Sequence, residues 1–236
     1  MSLSPAFEDF ERLYQSGSAQ VVYRQILADT QTPISALMKL GAEQPYTSLF
    51  ESVEGGATLG RYSFIALDPD LVWKREGGQT LINREFADNP QSFVHEDAGG
   101  RNPLDSLAAL HACSAITLPP DLPPMSAGLV GFFGYDTVRH IERLPTDKPD
   151  MLGTPEALFM RPRLTAVFDR VRDLITLVSP VYPNPGQGAL AAYEAAASRL
   201  AEAMDRLEGP LPAAPVPEGL GDLPVPKSNM LSLIHI

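Results

Sequence analysis

The sequence predicts an α+β fold, mainly antiparallel sheet with packed helices, and three observations carry that reading. Between Tyr46 and Trp73 the β-rich pieces "YTSLFESV", "GRYSFIAL" and "DLVWKR" are separated by glycine-rich and Asp-Pro turns, the pattern of a meander. "LTAVFDRVRDLITLVSPVY" sets two strand-like runs around the polar centre Asp169 to Asp173, with Ala166, Phe168 and Val171 before the turn and Ile175 and Leu177 after it. Leu190, Tyr193, Ala197, Leu200, Met204 and Leu207 fall at alternating steps of three and four, so a helix from about Ala189 to Leu207 presents one apolar stripe to a core.

The remaining elements follow in chain order. Phe7, Phe10, Leu13 and Tyr14 are spaced for a short amphipathic helix, and "AQVVYRQILA" then alternates as a strand. In "TPISALMKLG", Thr32 suits an N-cap, Pro33 the first helical position and Gly41 the stop. "GQTLINRE" continues the meander, and "PLDSLAALHACSA" reads as a helix before the turn "LPPDLPP". After Gly209 the composition turns to proline and glycine, so residues 209–230 read as a linker, and "LSLIHI", residues 231–236, as a foreign tail. Residues 1–208 form the folded region on this reading.

Size and charge exclude several classes of partner. A chain of 236 residues can bury roughly 70–75% of its extended surface. A net charge of −11 with no basic stripe argues against nucleic acid. No run of eighteen apolar residues appears, and acids stand where a signal peptide needs bases, so no membrane partner and a cytoplasmic location are expected. Cys113 is the one cysteine, and within "LAALHACSAITL" it reads as a small buried hydrophobe.

Each local motif has a bland reading beside the chemical one. Gly55 and Gly60 have the spacing of a phosphate loop, with Arg61 in place of lysine, but Tyr62 stands where a magnesium ligand belongs and no helix follows. In "GLVGFFG", Gly128, Gly131 and Gly134 let a strand pass close to another backbone rather than forming a dinucleotide fingerprint. His95, His111, His140 and His235 lack metal-ligand spacing. Glu51 and Glu54 would point to opposite faces of a strand, and "RHIER" reads as a solvated charged segment.

Three segments, "YRQILADTQTPISALMKL", "SLFESVEGGATLGRYSFIALDP" and "GLVGFFGYDTVRHIERLP", closely resemble the amino-terminal region of anthranilate synthase component I, in the right order and across Phe7 to Met230. The resemblance implies a lyase that makes anthranilate and pyruvate from chorismate and glutamine-derived ammonia in tryptophan biosynthesis. Its partners are then a glutamine amidotransferase component II and the chorismate-binding domain. It further implies that the magnesium and chorismate ligands lie in that domain, so no catalytic residue, metal ligand or cofactor is assigned to this chain and the chain alone is expected to be inactive. What carries over is the L-tryptophan feedback element, standing here as Leu49, Phe50, Glu51 and Ser52. A carboxylate such as Glu51 suits the ligand ammonium, Ser52 can bond either end of a zwitterion, and amides near Gly55 and Gly56 can complete the shell. Arg61 and Tyr62 are candidates to line the same pocket, against the commoner role of Tyr62 and Phe64 as strand core. Component I of aminodeoxychorismate synthase and a stand-alone amino-acid-binding module are the alternatives.

Overall fold

Two prolines face each other in the middle of the sheet, Pro69 and Pro162, and neither has an N–H to give the ladder. They lie on the two longest strands of a computed structural model that describes residues 2–41, 44–53, 59–96, 102–144 and 153–213; for Ser52, Val53 and Leu59 the backbone alone is described. β1 (Gln20–Leu27), β2 (Ser48–Val53), β3 (Leu59–Glu76), β4 (Gln79–Asn83), β5 (Val94–His95), β6 (Val130–Phe133), β7 (Ala157–Asp169) and β8 (Leu174–Val181) form one sheet. Its order is β1-β8-β7-β3-β4-β5, with β2 pairing to β3 and β6 to β7, and these pairings are antiparallel. The α+β class and the meander β2-β3-β4 therefore stand.

The Asp-Pro turn expected at Asp68-Pro69 is absent: β3 runs through it for 18 residues. Asp68 takes a left-handed φ of 56°, and the register with β7 slips by one between Pro69 and Leu71. Ile65 faces Ala166 before the slip and Trp73 faces Phe159 after it, so side-chain alternation is reset across a β-bulge. The bend is held from outside the ladder. Arg163 Nε and Nη2 donate to Asp68 at 3.1 and 2.7 Å, and Arg161 Nε and Nη2 donate to Asp70 at 2.8 and 2.7 Å, two bidentate clamps from β7. Arg161 also lies over the Tyr182 ring, 4.0 Å from its centroid.

The helices form where their caps and spacing direct. α1 (Phe7–Gln15), α2 (Pro33–Gly41) and α4 (Ala189–Glu208) cover the sheet through one cluster that includes Phe10, Leu40, Ile65, Leu67, Ala166, Leu177 and Leu200. α2 opens with a reciprocal cap in which Ser35 N–H donates to Thr32 Oγ1 at 3.1 Å and Thr32 N–H to Ser35 Oγ at 2.8 Å. α3 (Pro103–Cys113) is capped by Asn102, whose Oδ1 accepts from Leu104 N–H, and packs Leu107 and Leu110 around Trp73 and Ile82. Below β1, β3, β7 and β8, the segment carrying Ile116, Leu118 and Leu122 covers Val21, Phe64, Val167 and Val178.

Several details differ from the sequence reading. The buried stripe of α4 is Ala192, Ala196, Leu200, Ala203 and Leu207, while Leu190 is 54% exposed and Tyr193, Ala197 and Met204 flank the contact. Alanines let the helix lie close to the sheet, and the longer side chains then fill its margins. Cys113 is exposed, its thiol donating to Ala109 O at 3.0 Å, because the buried face of α3 steps from Leu107 to Leu110 to Ser114. Val171 belongs to the turn and is 72% exposed. In "RHIER", Ile141, Glu142 and Arg143 are exposed, but His140 Nε2 lies 3.1 Å from Glu156. The glycine reading of "GLVGFFG" is met at Gly131, where a Cβ would overlap the Leu158 carbonyl oxygen and come 2.7 Å from Phe159 Cα. Glu54, Gly55, Gly56, His235 and most of the linker, with the tail, lie outside the described residues.

The corrected stripe has a measurable consequence. Leu200→Ala should cost about 2–5 kcal/mol in denaturant unfolding, and Leu190→Ala no more than about 0.5 kcal/mol; equal losses would restore the leucine-centred stripe.

Candidate functional site

β2 is an outer strand, held only by β3 among the described strands, and this places the candidate residues at a sheet edge. Leu49 faces Ile65, Phe50 faces Phe64 and Glu51 faces Ser63. Residues directly opposite in an antiparallel pair share a face. Leu49 and Glu51 are therefore on the helix-covered side, where Leu49 packs on the large cluster, and Phe50 is on the other side, 37% exposed. The register slips between Glu51 and Val53, so Ser52 sits at the irregularity.

Glu51 is not a bare carboxylate. Arg170 Nη2 donates to Glu51 Oε1 at 3.1 Å and to the buried Ser63 Oγ at 3.3 Å, so one guanidinium ties the edge strand to its neighbour. Glu51 Oε2 has no partner among the described residues. Each side chain of this ion pair is about one-third exposed, 31% for Arg170 and 32% for Glu51.

A second ion pair lies at the same end of β3. Arg61 Nε and Nη2 donate to Asp169 at 3.0 and 2.7 Å, and Asp169 also accepts from the N–H groups of Val171 and Arg172, closing the β7–β8 turn. Hydrogen bonding from Arg61, then the two backbone donors and the guanidinium charge, hold the Asp169 carboxyl below its ordinary range against the opposing effect of burial. The same bonds raise Arg61. Arg61 stacks 4.8 Å from the Tyr62 centroid, and Tyr62 packs with Phe64 on the face away from Ser63. The structure thus brings Glu51 together with Arg170 and Ser63, and Arg61 together with Asp169 and Tyr62, on adjoining but distinct surfaces. As partners of the candidate residues, Arg170, Ser63 and Asp169 escaped the sequence reading; the charged hairpin tip "DRVRD" was the one local signal for Arg170 and Asp169, and Ser63 had none.

The arrangement sets a carboxylate and a guanidinium side by side, charges that suit a small zwitterion, and among the described residues it pairs no nucleophile with a base. Among the described residues no three His, Cys, Asp or Glu side chains converge into a metal-holding group. No described helix is long and apolar enough to cross a membrane.

Fold and site together define an antiparallel α+β region with a polar cluster on its edge strand. The chain belongs to the anthranilate synthase component I family. It is 43% identical over 208 residues to anthranilate synthase component 1 of Cereibacter sphaeroides, covering 88% of this chain and 41% of that protein. The corresponding protein of Thermus thermophilus is 37% identical over 194 residues, 82% of this chain and 37% of its own length, and that of Synechocystis is 36% identical over 213 residues, 89% and 40%. The chain thus spans about two-fifths of these relatives. No protein-family model matches it. Anthranilate synthase component I of Streptococcus pneumoniae superposes with a TM-score of 0.48 at 23% identity over 79% of this chain and 37% of that one, a likeness too loose to bear on the site.

The depressed Asp169 pKa fixes a pH dependence. A carboxylate whose folded pKa lies below its unfolded value stabilises the fold above the unfolded value, about 3.9, and that stability is lost as pH falls through the folded one. Asp169→Asn, which keeps an acceptor for the turn, should lower the melting temperature at neutral pH and flatten its fall below about pH 4; an unchanged acid limb would mean that other carboxylates carry it.

Proposed function

We propose that this chain is the L-tryptophan-sensing, amino-terminal part of anthranilate synthase component I. In this reading the whole enzyme, with its magnesium-dependent chorismate domain and a glutamine amidotransferase component II, converts chorismate to anthranilate and pyruvate, and this chain alone is inactive. The observation that carries the reading is Glu51: its carboxylate stands on an edge strand, oriented through one oxygen by Arg170, with the other oxygen free among the described residues to meet an ammonium group. Ser52 follows it at the register slip. The surface offers support for a large intramolecular partner. Phe132, Phe133 and Tyr135 are 46%, 54% and 89% exposed on and just beyond β6, which pairs with β7 alone among the described strands. Exposed apolar clusters of this kind mark interaction surfaces.

One assay tests the reading. With chorismate, ammonium and magnesium, the chain alone should give no fluorescent anthranilate. Joined to a chorismate domain it should turn over and be inhibited by tryptophan. Ser52→Leu should then weaken inhibition about ten- to a hundredfold, the effect of losing a hydrogen bond to a charged group of about 1.5–3 kcal/mol, with uninhibited turnover unchanged. Inhibition within about twofold of the parent would remove Ser52 from the site, and equal loss of turnover and inhibition would make it structural.

A further inference from the structure

A cationic junction lies away from the Glu51 edge, where α4, packed on β8 and β1, forms one wall of a cleft opposite Asp68 and Arg163. Arg199, half-buried on α4, donates from Nε to the fully buried Ser179 Oγ at 3.1 Å. That bond fixes one edge of the guanidinium. No carboxylate among the described residues lies within 4.0 Å of it. Its neighbour Arg163 has its fork engaged by Asp68 at 2.7 and 3.1 Å, as Arg161 has by Asp70, so those two pairs are neutral and Arg199 is the charge left over.

Two clefts meet there. One, of about 210 Å³, and another, of about 930 Å³, both have Arg163 and Arg199 in their walls. The smaller also carries Arg206, whose Nη1 donates to Leu40 O at 3.3 Å, and Glu202, whose Oε1 accepts from Ser198 at 3.1 Å. With the Arg163–Asp68 pair neutral, Arg199 and Arg206 against Glu202 leave one net positive charge on its wall, in a chain whose formal net charge is −11. Burial, and then the like charge of Arg163, depress the Arg199 pKa against the opposing charges of Asp68, Asp70 and Glu202. An anion would supply what is missing, through a planar donor fork suited to two oxygens.

We infer that the Arg163–Arg199 junction between α4 and β7 is a binding site for a small oxyanion, a phosphate or carboxylate group, separate from the Glu51 edge. The occupant sits against the free Nη edge of Arg199, and the larger cleft, whose wall also carries Glu85 and Asp88, leaves room for the uncharged or cationic body of a molecule attached to that group.

The test follows the arginine Nε–Hε signals of the isotopically labelled chain by NMR during titration with inorganic phosphate and, in a second arm, with citrate, at ionic strength held constant with chloride. The Arg199 signal should shift and saturate in at least one arm, which also identifies the group as phosphoryl or carboxylate. Arg199→Gln should weaken that binding about tenfold or more, as expected for losing charge-assisted hydrogen bonds. Arg199→Lys, which keeps the charge but not the fork, should lie between the two, and it provides the comparison should the glutamine variant fail to fold. Shifts that stay linear in both arms, or a variant that binds as well as the parent, would overturn the assignment.

Discussion

Two arginine–aspartate clamps, Arg163 on Asp68 and Arg161 on Asp70, hold the bend on which the rest of this structure depends. At Pro69 and Pro162 the sheet has lost two ladder donors, and Asp68 sits in a backbone conformation unfavourable for a residue with a Cβ. A strand in that state would normally end. It continues because two guanidiniums from the facing strand each bind a carboxylate by two parallel hydrogen bonds, a geometry stronger and more directional than a single-point surface pair. Arg161 is further seated on Tyr182, whose pKa burial pushes up to about 12.

Because β3 is continuous, one strand organises two sets of contacts. Ahead of the bulge, Ile65 and Leu67 build the core under α1, α2 and α4, and Ser63 and Phe64 align β2, so Glu51 arrives beside Arg170. Beyond it, Leu71 and Trp73 pack with Ile82 and α3. The one-residue slip lets the strand present the correct side chains to both. The same clamps engage Arg161 and Arg163, so that Arg199 is the arginine at the α4 contact with no carboxylate paired to it among the described residues.

Much of this was legible in the sequence. The bounds of α2 followed from Thr32, Pro33 and Gly41, since capping is chemistry between near neighbours, whereas the Asn102 cap of α3 was seen only in the structure. The α4 stripe was displaced because apolar spacing counts leucine above alanine, whereas close helix–sheet contact selects Ala192, Ala196 and Ala203. Asp68-Pro69 was read as a turn because the signal is local, while what overrides it, Arg161 and Arg163, lies more than ninety residues away. The site was the least legible part. Glu51 and Ser52 came from the resemblance, and their neighbour Arg170 depends on the joint register of β2, β3 and β7, which no single segment encodes.

The most direct test of this account is native-state hydrogen exchange on Asp70→Asn, which leaves Arg161 without its carboxylate. Continuity through the clamp predicts that amide protection falls together along β3 from Ile65 to Trp73 and in β2 around Phe50. A loss confined to the residues next to Leu71 and Arg161, with β2 protected as before, would show that the two halves of the sheet stand independently and that the clamp does not place the Glu51 edge.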